Sequence, residues 1–172
     1  MDLSRPEALI KRLDSYWRME AINIGLVPIM GLIIAWPHRL IEAAVVSTAL
    51  IACCLTLRVG AGYWRAVCEN LRDPQWSMAA TLDMAMRWRP YCLAAAIFSA
   101  AVSVTAIAQL GLTRQTGVAA LFTVLALLEY VNYYHRQLQN FDHGPTFGRF
   151  LRSRSFPRAH LAKALENYQK CR

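Results

Sequence analysis

Four stretches of the chain are almost continuously apolar, and polar residues or helix breakers separate them. Residues 19–36, 40–57, 91–110 and 117–135 each reach the roughly 17–25 residues that a helix needs to cross a ~30 Å hydrocarbon layer. The pattern predicts an all-α membrane protein with four transmembrane helices and short amphipathic cytoplasmic flanking helices. All of it forms a single integral membrane domain over residues 1–172, with a cytoplasmic tail from 136 onward. In the first span Pro28 lies between Gly25 and Gly31, where a kink is expected. Trp36-Pro37-His38-Arg39 then reads as a tight turn with Trp36 at interface height. The helical pattern of the second span runs on to about Leu71, where Asp73-Pro74 ends it. Gly111 to Thr116 reads as a short polar loop between the third and fourth spans.

The polar intervals are patterned too. Ser4-Arg5-Pro6-Glu7 has the form of a capping box with proline in the first turn. Leu9, Ile10, Leu13, Tyr16 and Trp17 follow at helical spacing, with Lys11, Arg12 and Asp14 on the other side. A short helix is expected there, either lying on the membrane surface or packed on the rest of the protein. Residues 76–89 align Met78, Leu82 and Met86 and carry Trp76 and Trp88, which predicts a second interfacial helix in the longest loop. Such a Met stripe is read as packing rather than a cofactor site. Asp142-His-Gly-Pro145 turns the tail, and Leu161, Leu165 and Tyr168 mark a third short amphipathic helix.

Small residues suggest how the spans pack. Ala44, Thr48, Ala52, Thr56 and Gly60 recur every four residues on the second, and Ala95, Ser99 and Ser103 on the third. Stripes of this kind let helix backbones approach closely in lipid, so these two faces are expected to meet.

Composition sharpens the class. The chain is 56% hydrophobic and 17% charged, against about 45–50% and about 25% for soluble domains. Its formal net charge is +8, and the placement of that charge excludes nucleic acid as the partner. Four Lys or Arg lie before the first span, five flank the middle loop and eight follow Tyr134, leaving only Arg39 and Arg114 at the other end. By the positive-inside rule both termini are cytoplasmic. The basic flanks suit a bilayer with anionic lipid head groups, and no zinc finger, RNP motif or helix-turn-helix competes. The 5 cysteines have no metal or disulfide spacing, and Cys53 and Cys54 read as small apolar residues. No cleavable signal peptide is expected, because mixed-charge residues precede the first apolar run.

Candidate chemistry gathers at the end of the fourth span. Glu129, Asn132, Tyr133, Arg136 and Asn140 share one helix sector, with Tyr130, Tyr134 and Phe141 on a neighbouring one. Glu129 lies about 18 Å along the helix from Gly117, and an ionisable group at such depth is a functional-site hypothesis. Glu20 and Asn23 on the first span and Arg58 on the second reach similar depth, so Glu129, Asn132, Tyr133, Glu20, Asn23 and Arg58 form the candidate intramembrane cluster. Three readings compete. One is an Arg–Glu pair with tyrosine anchors that fixes helix positions, as in a scaffold or interaction subunit. Another is a proton-coupled transporter using Glu129, although no continuous polar path is visible. The last is a lipid-directed enzyme using Glu129, His135 or His143, but HExxH, GxSxG, paired-Asp and phosphate-loop motifs are all missing. No catalytic residue, metal or other cofactor is expected; a homo-oligomer or a membrane-protein partner is.

The string Glu129-Tyr-Val-Asn-Tyr-Tyr-His-Arg-Gln-Leu138, followed by a basic tail, is similar to the last helix of small bacterial multi-pass membrane proteins of no assigned function. The resemblance implies no activity and no catalytic residues; the Arg/Ala-rich usage is compatible with a bacterial source, and a multi-pass protein of the bacterial inner membrane is the expectation.

Overall fold

A computed structural model describes residues 5–138 and 156–171. The Ser4 cap, Asn140, Phe141, the turn at residues 142–145, His143 and the arginines at 149, 152, 154 and 172 lie outside the described residues. The described residues form five helices: α1 (Arg5–Ala35), α2 (Leu40–Arg72), α3 (Ala79–Leu110), α4 (Arg114–Tyr134) and α5 (His160–Lys170). Four of them, α1 to α4, are long and apolar enough to cross a membrane.

Backbone chemistry explains the breaks. Trp36 closes α1 with a positive φ of 44°, uncommon for a bulky residue, and Pro37 prevents further helix. Glu42 then accepts from the N–H groups of His38 and Arg39 at 3.0 and 3.2 Å, satisfying free donors at the start of α2. Gly111 ends α3 at φ 77°, a conformation open to glycine. Thr113 and Thr116 form a reciprocal cap on α4, with N···O distances of 3.3 and 2.8 Å.

Two expected flanking helices are not separate elements. Residues 5–18 continue into the first span as one helix, because nothing near Arg18 breaks the backbone. Leu13 is buried, Asp14 pairs with Arg72 at 3.0 Å and Tyr16 stacks on Trp64, so this part of α1 packs on the far half of α2. Residues 79–89 likewise run through Pro90 into the third span. Leu82 is buried there, and Met78, Met86 and Trp88 pack around the same core. Pro28 also sits inside a continuous helix. Its ring nitrogen cannot bond the Ile24 carbonyl, and the Cys54 thiol donates to that oxygen instead, at 3.4 Å.

Helix lengths set the architecture. α1, α2 and α3 have 31, 33 and 32 residues, or about 46–50 Å at 1.5 Å per residue. α4 has 21, about 31 Å, and stops short. α5 docks against α3 and α4 beneath its end, burying Leu161, Ala162 and Leu165. Glu166 on its outer side takes Lys170 and Arg158 as partners, which holds its carboxyl below the ordinary range.

α2 is the central helix, in contact with α1, α3 and α4. α2 and α3 are neighbours, but their small-residue stripes do not simply face each other. Ser99 and Ser103 of α3 meet Thr123 of α4, with oxygen separations of 2.6 and 3.0 Å. On α2, Ala44 is exposed and Thr48 half-buried, and the stripe is buried only from Ala52 onward. Thr123→Val removes the shared partner of two buried hydroxyls, and an interhelical bond of this type contributes about 0.6–1.7 kcal/mol. The variant is expected to lose about 1 kcal/mol in reversible detergent unfolding. Thr123→Ser should retain most of it.

Candidate functional site

The polar centre of the bundle lies where α1, α2 and α4 converge. Glu20 is 7% exposed and Tyr133 4%. The Tyr133 hydroxyl donates to Glu20 Oε1 at 2.5 Å, joining α4 to α1. Between them passes Gly60 of α2. A Cβ at that position would overlap Cζ and Oη of Tyr133 and Oε2 of Glu20. The hydrogen bond therefore crosses α2 only because that helix has no side chain there. Glu20 Oε2 is buried without a hydrogen-bond partner, and buried polar atoms of that kind are few in native structures.

The other candidates divide. Glu129 is half-buried; its carboxylate takes Asn132 Nδ2 at 3.5 Å, the outer limit of a hydrogen bond. Asn132 Oδ1 accepts from the Leu138 N–H at 2.8 Å and so shapes the exit from α4. Asn23 is half-buried on α1, outside the Glu20–Tyr133 hydrogen bond. Arg58 is exposed, which removes it from the cluster: it projects from the side of α2 opposite the Gly60 face. The expected Arg–Glu pair is replaced by a tyrosine–carboxylate pair. Among the described residues, neither Glu20 nor Glu129 takes part in a salt bridge.

The tyrosines also change role. Tyr130, Tyr133 and Tyr134 are each 4–5% exposed, so they fill the protein interior rather than anchor the helix in the interface. Tyr134 donates to the Ala85 carbonyl of α3 at 2.9 Å, and Tyr130 lies between Tyr134 and His135. His135 is exposed, with its ring 5.6 Å from that of Tyr130. It therefore has no geometry for acid–base work with Glu129. Beside Tyr133 and Asn132 is a cavity of about 30 Å³, also lined by Tyr63, Trp64, Gln137 and His160. It has room for a water molecule. Among the described residues no three His, Cys, Asp or Glu side chains converge as a metal site requires.

Sequence reading placed Glu20 and Tyr133 in one cluster and Gly60 on a packing stripe, without joining them. Depth could have done so. Gly60 is 20 residues into α2 from Leu40, and Tyr133 is 19 residues into α4 from Arg114, starting from the same end of the bundle. No protein-family model, curated protein or solved structure matches this chain.

Proposed function

We propose that this chain is an integral protein of the bacterial inner membrane. It crosses the bilayer four times with both termini cytoplasmic, and serves as a scaffold or interaction subunit. Support for the membrane setting is the inverted surface. Ile22, Leu26, Ile29 and Ile33 on α1, Ile97, Phe98 and Val104 on α3, and Leu121 and Val124 on α4 are exposed. Meanwhile Ser99, Ser103, Thr56 and Thr123 are buried. An apolar surface on this scale marks a membrane or partner face. Support for the orientation is the charge at one end of the bundle, which an anionic cytoplasmic leaflet would attract.

The observation that carries the scaffold reading is the junction of Glu20, Tyr133 and Gly60. Buried side chains tie α1 to α4 across the Gly60 backbone of α2, and the adjoining space admits water but no organic substrate. The second reading, proton-coupled transport, draws on the same place. Its carrier would be Glu20, whose second oxygen is buried and unpartnered, rather than the half-buried Glu129.

Proteoliposome flux and native-membrane purification separate these roles. Scaffold function predicts a co-purifying protein, or a second copy of this chain, that is retained in Glu20→Gln and Glu129→Gln. Proton-linked flux abolished by Glu20→Gln with assembly intact would favour transport instead. Topology has its own check. Cys171 is exposed whereas Cys53, Cys68 and Cys92 are buried, so a membrane-impermeant maleimide should label Cys171 in inside-out vesicles and not in intact spheroplasts. The reverse result would place the C-terminus outside.

A further inference from the structure

A second cavity, of about 560 Å³, opens between the end of α4, the start of α3 and α5, away from the Glu20 junction. Its charged lining is Arg89, Arg136, Arg158 and Glu166, with Tyr134 and His135 between them. The size falls in the ordinary ligand range of about 300–1,000 Å³.

The backbone holds these cations together at a cost. Arg136 and Arg158 face each other in an antiparallel bridge, secured by Gln137 N–H to the Pro157 carbonyl at 2.9 Å and Ala159 N–H to the His135 carbonyl at 3.1 Å. Like charges opposite each other in such a pair are destabilising. Arg158 is answered by Glu166, which Lys170 also shares. Among the described residues Arg136 reaches a neutral acceptor, the Phe156 carbonyl, at 2.9 Å. Arg89 lies over the Tyr134 ring, 5.8 Å from its centre. Among the described residues neither Arg89 nor Arg136 has a carboxylate partner. Among the described residues, three guanidinium groups thus border a ligand-sized cavity that supplies one carboxylate, already shared.

We propose that this cavity is a binding site for a phosphate ester, held by Arg89 and Arg136 with Arg158 behind them. Guanidinium forks match phosphate oxygens in geometry as well as charge. Placing that ester on a phospholipid rests on the membrane reading above. Arg89 stands just before the third span and Arg136 just after the fourth, so the cavity opens at headgroup height. Basic pockets at the cytoplasmic ends of spans suit anionic headgroups.

The test uses the full chain in mild detergent. Phosphatidylglycerol, phosphatidylcholine and soluble glycerol 1-phosphate serve as probes, with affinity read by native mass spectrometry and thermal shift. Phosphatidylglycerol is expected to bind in preference to phosphatidylcholine, and Arg89→Gln/Arg136→Gln should weaken it by about tenfold or more. The opposite-end pair Arg39→Gln/Arg114→Gln should leave it unchanged, and Arg89→Lys/Arg136→Lys, which keeps the charge but not the fork, should bind more tightly than the Gln pair and more weakly than the parent, which excludes misfolding as the cause. Glycerol 1-phosphate binding as tightly as the lipid, with the same loss in the Gln pair, would uphold the site and assign it a soluble ester. Equal binding of both lipids, or a Gln pair that binds like the parent, overturns the proposal. Membrane fractionation separates the two failures. A chain found in the membrane without lipid preference refutes the site alone, whereas a chain found in the soluble fraction refutes the membrane reading and leaves the glycerol phosphate arm to decide the site.

Discussion

Gly60→Ala is expected to be among the most damaging single-methyl additions in the bundle. The new Cβ would overlap the Tyr133 ring end and hydroxyl and the Glu20 carboxyl at once. Tyr133 is buried, so the strain passes into α2 and α4 rather than into solvent. Overpacking of a core costs about 1–3 kcal/mol and occasionally more; the upper end is expected here, because the polar bond is displaced together with the ring. Unfolding in mixed micelles measures it. A second variant separates this close contact from a general intolerance of alanine in α2. Tyr133→Leu removes both clashing tyrosine atoms, so Gly60→Ala should cost far less on that background. An equal cost on both backgrounds would show that α2 does not need glycine for the reason given. Gly62, whose nearest neighbour is the flexible end of Met84, should accept alanine at small cost.

What could be read from the chain follows the same distinction between backbone and neighbours. The breaks at Trp36-Pro37, Asp73-Pro74 and Gly111 were legible because they act through local dihedral preference. The division of α1 at Arg18 was not real, because a change from mixed charge to apolar side chains alters a helix's surroundings and leaves its hydrogen-bond ladder intact. α3 likewise runs on across Pro90, although the proline ring removes the one bond to the Met86 carbonyl. Periodicity identified the faces of α2 and α3 but not what lies opposite them, since the 3.6-residue repeat contains no information about the neighbouring helix. Hence the spacing of Ser99 and Ser103 suits a partner on α2 as well as it suits Thr123 of α4, which receives them. The tyrosines of α4 were ambiguous for another reason: a tyrosine suits both a lipid interface and a buried site with an acceptor. Three helices near 32 residues and one of 21 leave space beneath the short one, and α5 occupies it.

The hydrogen bond between Tyr133 and Glu20 yields the other large prediction, because removing one partner and removing both should differ in kind. Tyr133→Phe leaves a buried carboxyl with neither oxygen bonded, since Oε2 already lacks a partner. An orphaned buried polar group costs about 1–3 kcal/mol, and more when charged. Glu20→Leu orphans one hydroxyl and should cost less, within the lower part of that range. The double variant Glu20→Leu/Tyr133→Phe removes the polar atoms together and nearly preserves volume. It should be more stable than Tyr133→Phe alone, with a coupling of about 1–2 kcal/mol in the double-mutant cycle. Additivity within about 0.5 kcal/mol would mean that the two groups do not depend on each other. The cycle also bears on why the pair is present. A polar bond that can be replaced by apolar atoms without loss of stability contributes specificity, by setting the depth at which α1, α2 and α4 align. In that case the double variant should fold stably but lose the single register, read as several disulfide pairings between cysteines introduced along α1 and α4 where the parent gives one. If it keeps one register, packing alone aligns the helices, and Glu20→Gln in the proteoliposome flux assay becomes the deciding measurement for the proton-coupled proposal.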